Sequence, residues 1–435
     1  DEPVNGEPVA DESAEPDAEP GTVPPAAGLP VIDESTLGGP TLDDGVLPCG
    51  LRVLVARDTT LPVAAVMLVV ETGTEDDPPS QPGLVHALAY HLLQGNRELI
   101  PGGAAALVHD RGGITSITVG PAQVRFESLV PISALPDALW IESQRLRAPT
   151  VSEALWTNTL RWARADKSIR WQVPRAAAAA AHGVPGLAHD GREVPAELGQ
   201  MLPRAIGQAL AERFRYAHAT LVVVSPHPPA ELHDTIAELF AELPAVDRRR
   251  RDRTPRFRTG SVPQALPLAG ESGSRFVWPL GPDLPSIDQA SVLCRALNRQ
   301  RRHPVEPSRV RVRCELDVDP RRSSMIVQVT SADDPVAVLR GRIERLQRGE
   351  EDALVESQRE IELRDRIQQL RSALVMARYL AFTGPRPDDE PGWRTRPAAA
   401  LTGVAELSVP HTGRAFGPRL ELGAAIHLVP PEAPQ

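Results

Sequence analysis

The segment Gly83-Leu84-Val85-His86-Ala87-Leu88-Ala89-Tyr90-His91-Leu92-Leu93-Gln94-Gly95 constrains the chain most. It reads as a short, largely apolar helix bounded by glycines. A Val- and Leu-rich run, Val63–Val70, precedes it and reads as a strand, as does Leu51–Ala56. A second helix over 102–110 follows and ends at Gly112-Gly113. Ile114–Leu129, with the strand formers Thr118, Val124 and Phe126, reads as strands. Leu135–Leu146 carries an apolar stripe at Leu135, Leu139, Ile141 and Leu146 and is expected to be helical. Further helices are expected over about 152–169 and 198–214, then a strand at Thr220–Val224 and a helix at Pro229–Leu243. This order is α+β, not strict βαβ alternation.

The same order recurs towards the C-terminus. A strand at Arg275–Leu280, a helix at Ile287–Arg301 with Ser286 as N-cap, and strands at Val310–Val318 and Met325–Val329 are expected. A helix at Val336–Arg348, a long helix over about 351–382 and a last strand at Ala424–Val429 complete it. The recurrence is a weak internal repeat of two similar domains. The expected organisation is a disordered acidic Pro-rich segment at 1–40, an N-terminal domain at 41–246, an Arg/Pro-rich linker at 247–273 and a C-terminal domain at 274–435.

The net charge of -10 argues against nucleic acid as the main ligand. The cluster Arg248–Arg251 with Arg253, Arg256 and Arg258 reads as part of a solvated connection. No apolar run is long enough for a transmembrane helix. The three cysteines, Cys49, Cys294 and Cys314, form neither a disulfide framework nor a zinc ribbon. Their spacing favours unpaired thiols, with Cys294 and Cys314 the pair that could close outside the cytoplasm. The acidic N-terminal segment and the start at Asp1 favour a bacterial cell envelope or periplasm over the cytoplasm.

The glycine-bounded helix, with Gly73-Thr74-Glu75 before it and Arg111-Gly112-Gly113 after it, resembles the insulinase/pitrilysin family of zinc peptidases, which includes the processing peptidases. Leu47-Pro48-Cys49-Gly50-Leu51-Arg52-Val53 resembles the start of that family's first hairpin, and Phe214–Val224 a segment near the end of its first domain. The resemblance covers about residues 45–245 and implies two homologous domains. Each is a mixed or antiparallel sheet packed by helices, together one half of a clam-shell.

In the family this helix carries the inverted zinc motif H-x-x-E-H, whose histidines bind zinc and whose glutamate acts as general base. Here His86 holds the first position, but Ala89 stands at the glutamate and Tyr90 at the second histidine. His91 comes one residue late, ~140° around the helix from His86. The third ligand is a glutamate on another helix. No glutamate occurs between Glu153 and Glu193, and Asp166 is the acid nearest the expected distance. The resemblance also makes Gly112 and Gly113 the opening of a substrate-binding edge strand, with Ser116 and Val119 at positions where the family has Asn and Thr. Some relatives pair a zinc subunit with a zinc-free one that supplies a tyrosine from a strand of its second domain. Of Tyr90, Tyr216 and Tyr379, none is expected on that strand.

The expectation is therefore a protein without catalytic residues or cofactor. It would act as a structural or regulatory subunit of a hetero- or homo-oligomer, with a protein or peptide as partner. Two alternatives stay open. One is an active zinc endopeptidase with an unusual ligand set such as His86, His91 and Asp166. The other is a module that captures extended peptides, because strand addition works through main-chain bonds.

Overall fold

The computed structural model describes residues 42–96, 98–147, 149–165, 195–246, 264–267, 273–280, 284–300, 310–318, 323–330, 334–370, 372–383 and 427–428. The chain divides between Gly38 and Gly39, and all described residues follow that division. The expected acidic segment 1–40, Asp166 and most of the expected linker lie outside the described residues.

The first sheet has six strands: β1 Leu42–Val46, β2 Arg52–Arg57, β3 Val63–Val70, β4 Ile114–Val119, β5 Val124–Pro131 and β6 Ala219–Ser225. Their order is β1-β2-β6-β3-β5-β4. The β2–β6 pair is parallel and the other pairs are antiparallel, so the sheet is mixed. Side chains alternate between faces along a strand, and here both faces are covered. Val66, Leu68, Val70, Leu221 and Val223 pack against helices α1 Leu84–His91, α3 Leu135–Arg145, α4 Glu153–Ala165, α5 Pro203–Arg213 and α6 Pro229–Phe240. The short α2 Gly103–Asp110 adds Val108 to this core. Burial on both sides explains why β3 is a continuous apolar run.

The second sheet holds β7 Gln264–Pro267, β8 Gly273–Pro279, β9 Arg311–Asp317, β10 Ser324–Thr330 and β11 His427–Leu428, in the order β11-β7-β8-β10-β9. Its core of Phe276, Trp278, Leu293, Leu297, Val327, Ile343 and Val355 involves helices α7 Leu284–Arg299, α8 Pro335–Gln347 and α9 Asp352–Leu370. A charged network joins α7 to α9. Arg366 meets Asp288 at 2.6 Å and Glu362 at 3.0 Å, and Arg295 meets Glu362 at 2.6 Å and Asp365 at 2.7 Å. Burial raises the pKa of the Asp288 carboxyl, and the neighbouring Arg366 opposes that shift.

Four features differ from the sequence reading. The helix expected over 351–382 is two helices, α9 and α10 Ala373–Thr383. The break lets α10 lie on the outer face of the first sheet, where Ala373, Met376, Ala377 and Leu380 meet Leu54, Ala65, Met67, Val69, Val222 and Val224. Strand β7 lies inside the expected linker, and β1 was not expected, because Asp43-Asp44-Gly45 is a poor strand sequence. Finally, Cys294 and Cys314 form a disulfide between α7 and β9, against the favoured reading of free thiols; Cys49 is free and buried. Spacing alone carried no information about the close approach of α7 to β9.

Candidate functional site

Helix α1 begins at Gly83, whose φ of 77° is left-handed and suits glycine. Asp77, buried ahead of it, accepts hydrogen bonds from the amides of Gly83 and Val85, both at 2.7 Å. These amides have no partner within the helix, and a carboxylate also complements the positive end of the helix dipole. The sequence reading missed Asp77. Its signal was an acid six residues ahead of a helix that starts with glycine.

The helix runs unbroken from Leu84 to His91 and is buried except at Tyr90, which is half-buried. His86 and Ala89 are fully buried. Positions four apart share a helix face, and the rings of His86 and Tyr90 stack with centroids 5.0 Å apart and planes 18° apart. The two histidine positions of the family motif are thus adjacent, but the second carries a phenol. At Ala89 the methyl group offers neither donor nor acceptor for a proton.

His91 has a different task. Its Nε2 lies 3.0 Å from the Thr150 carbonyl and its Nδ1 lies 3.0 Å from the Thr159 hydroxyl, while Trp156 meets the ring edge-on at 5.6 Å. Burial lowers its pKa below the ordinary imidazole value, and the Thr150 carbonyl opposes that shift. In the neutral ring Nε2–H donates to the Thr150 carbonyl, and Nδ1 faces the Thr159 hydroxyl, whose single proton is shared between that nitrogen and the Leu155 carbonyl 2.8 Å away. Nε2 meets the turn before α4 and Nδ1 meets α4 itself, so both nitrogens face protein oxygens and the ring fastens α1 to that segment. The same junction is reinforced by Asn158 donating to Gln94 at 3.1 Å and by the Trp156 indole donating to the Leu198 carbonyl at 2.6 Å.

The zinc of the resembled family therefore does not fit the donor set on α1. A metal site needs several N, O or S donors converging on one point. Among the described residues no group of three His, Cys, Asp or Glu side chains could hold an ion.

Strand β4 forms one edge of the first sheet, paired with β5. Gly113 is buried and tightly placed, since a Cβ there would lie 2.8 Å from Val130 Cγ1 and 2.9 Å from the Leu129 carbonyl oxygen. Gly112 and Ser116 are exposed, whereas Val119 is buried in the helical core. Beneath Ser116 lies Glu127, 1% exposed, which sequence reasoning also missed. It accepts from the Ser116 hydroxyl at 3.3 Å and from Arg378 Nη2 and Nε on α10 at 2.5 and 3.1 Å, with Arg125 at 3.3 Å. This ion pair ties the C-terminal helix to the strand next to the edge.

Tyr216, from the resembled Phe214–Val224 segment, is structural. Its hydroxyl accepts from the Leu146 amide at 3.1 Å and donates to the Ser143 carbonyl at 2.8 Å, closing the C-terminal end of α3. Burial raises its pKa.

No family model and no curated protein matches the chain. Solved structures do match. A protease from Helicobacter pylori superposes with a TM-score of 0.68 at 13% identity, over 87% of this chain and 96% of that one. The periplasmic protease PqqL from Escherichia coli superposes with a TM-score of 0.66 at 14% identity, over 87% of this chain and 46% of PqqL, so the chain spans about half its length. The ferredoxin protease FusC, a glutamate-to-alanine variant in complex with Arabidopsis ferredoxin, gives 0.61 at 14% identity, over 87% of this chain and 46% of FusC. The chain thus has the fold of insulinase/pitrilysin-type proteases: α+β, with mixed sheets packed by helices.

Proposed function

We propose that this chain is a catalytically inactive homologue of the insulinase/pitrilysin-type peptidases, acting as a structural or regulatory subunit of a complex or as the partner of an active paralogue. The observation that carries this reading is the replacement of base and ligand at Ala89 and Tyr90, together with the commitment of both His91 nitrogens to Thr150 and Thr159. A missing general base alone costs ~10²–10⁴ in rate. A periplasmic home is supported by the Cys294–Cys314 disulfide, which favours an oxidising compartment, and by the fold shared with PqqL.

A second reading, capture of extended protein segments, draws support from β4. Its backbone makes no hydrogen bond on its outer side to any described residue, and such an edge can take an added strand. The FusC complex with ferredoxin supports a protein as the bound partner in this fold.

The test is metal content by mass spectrometry on protein purified without a His-tag and offered equimolar zinc. Zinc below about 0.1 per chain supports the inactive reading. About one zinc per chain, lost in His86→Ala, overturns it and revives the zinc endopeptidase with an atypical ligand set.

A further inference from the structure

The two sheets treat their edges differently. On the second sheet β9 is one of the two edge strands, with β11 at the other side, and its middle residue is Cys314, opposite Val327 of β10. The Cys314 amide donates to Asn298 Oδ1 at 2.7 Å, and the Asn298 Nδ2 donates back to the Cys314 carbonyl at 2.8 Å. In an antiparallel ladder alternate residues turn both backbone groups away from their partner strand. Cys314 is such a residue, and the side-chain amide of Asn298 takes both groups. A primary amide offers one acceptor and one donor in the arrangement of a peptide bond, so Asn298 stands where a neighbouring strand would pair.

Asn298 is held in place by its helix. Cys294, one turn earlier on the same face of α7, is disulfide-bonded to Cys314. One strand residue is therefore gripped three times from one helix: through its sulfur, its amide and its carbonyl. On β4 of the first sheet no described residue makes a comparable cap.

We infer that Asn298 is a built-in strand mimic that closes the β9 edge to strand addition. The inference is independent of the capture reading given above. Without the cap, the chemistry favours a second copy of this chain as occupant. Two β9 strands related by a two-fold axis at Cys314 would exchange the two hydrogen bonds now made to Asn298, a self-complementary contact. The disulfide is not the seal, because it leaves the backbone groups of Cys314 untouched.

The experiment compares the full-length chain with Asn298→Ala and Asn298→Asp, by hydrogen exchange at the Cys314 amide and by sedimentation velocity over a concentration series. Asn298→Ala is expected to speed exchange at Cys314 about tenfold or more and to introduce concentration-dependent self-association. Asn298→Asp keeps the acceptor for the amide and places a charge at the edge, so exchange stays near the wild-type rate and the chain does not associate. Equal exchange in wild type and Asn298→Ala overturns the inference. So does faster exchange without association, which makes Asn298 a local contact only. Should Asn298→Ala fail to fold, association of Asn298→Asp like that of an uncapped edge overturns it equally. Both readouts report on β9 alone, so failure of the β4 capture reading leaves them unchanged.

Discussion

Replacing His91 by alanine separates a structural histidine from a ligand. The ring is fully buried and makes two hydrogen bonds, to Thr150 and Thr159. Its loss leaves the Thr150 carbonyl without its partner, a cost of about 1 kcal/mol, while the Thr159 hydroxyl keeps the Leu155 carbonyl at 2.8 Å. It also opens a cavity beside Trp156; ring-to-alanine changes in cores cost ~3–5 kcal/mol, and imidazole is the smallest such ring. The expected destabilisation is about 3 kcal/mol, read as a lower urea midpoint at unchanged slope. Zinc content should not change. The pH dependence follows from the lowered pKa. The unfolded chain binds the proton more readily than the folded one, so the stability due to neutral His91 is complete above the unfolded value of about 6.5 and is lost as pH falls below it. His91→Ala should flatten that acid-side slope. A variant as stable as wild type, or one that loses a bound zinc, would refute the reasoning.

Two other perturbations test long-range contacts that hold the fold. Arg378→Ala leaves Glu127 buried with Arg125 and the Ser116 hydroxyl beside it. Because the Arg378 side chain is 43% exposed, the cost is expected to be about 1–2 kcal/mol, below that of breaking a fully buried pair. Faster hydrogen exchange along α10 is the accompanying sign, and unchanged exchange there would remove the locking role. Reduction of Cys294–Cys314, separated by 20 residues, should cost about 3 kcal/mol by loop entropy. The drop should be seen in thermal melts with and without reductant and be absent in a Cys294→Ala, Cys314→Ala double variant; a reductant effect that persists in that variant would have another cause.

How legible the chain was depended on whether the deciding interaction was local. Strand β3 and the helix ending at His91 were readable because burial imposes a period or an apolar run on consecutive residues. The motif positions were readable for the same reason, since spacing along a helix decides which side chains can converge. The angle that separates His91 from His86 could be worked out without coordinates. What His91 does instead could not, because Thr150 and Thr159 lie far along the chain. Glu127 and the break before α10 were illegible for a related reason: each is explained by a partner brought near by the fold. Strand β1 failed differently, because its Asp-Asp-Gly composition opposes a strand and the pairing with β2 overrides it.

On the inactive reading proposed above, that division bears on how a peptidase fold persists without its chemistry. The residues that would make zinc chemistry are few and local, and two of those positions hold Ala89 and Tyr90. The scaffold is held by long-range contacts that none of the lost groups supplies: His91 joining α1 to α4, Tyr216 closing α3, and Arg378 carrying α10 to β5. None of these contacts requires a metal. Ala89 adds a methyl to a buried helix face and leaves no unsatisfied carboxylate, and burying a carboxylate without its ion would cost several kcal/mol. On that reading alanine at position 89 is the stable choice.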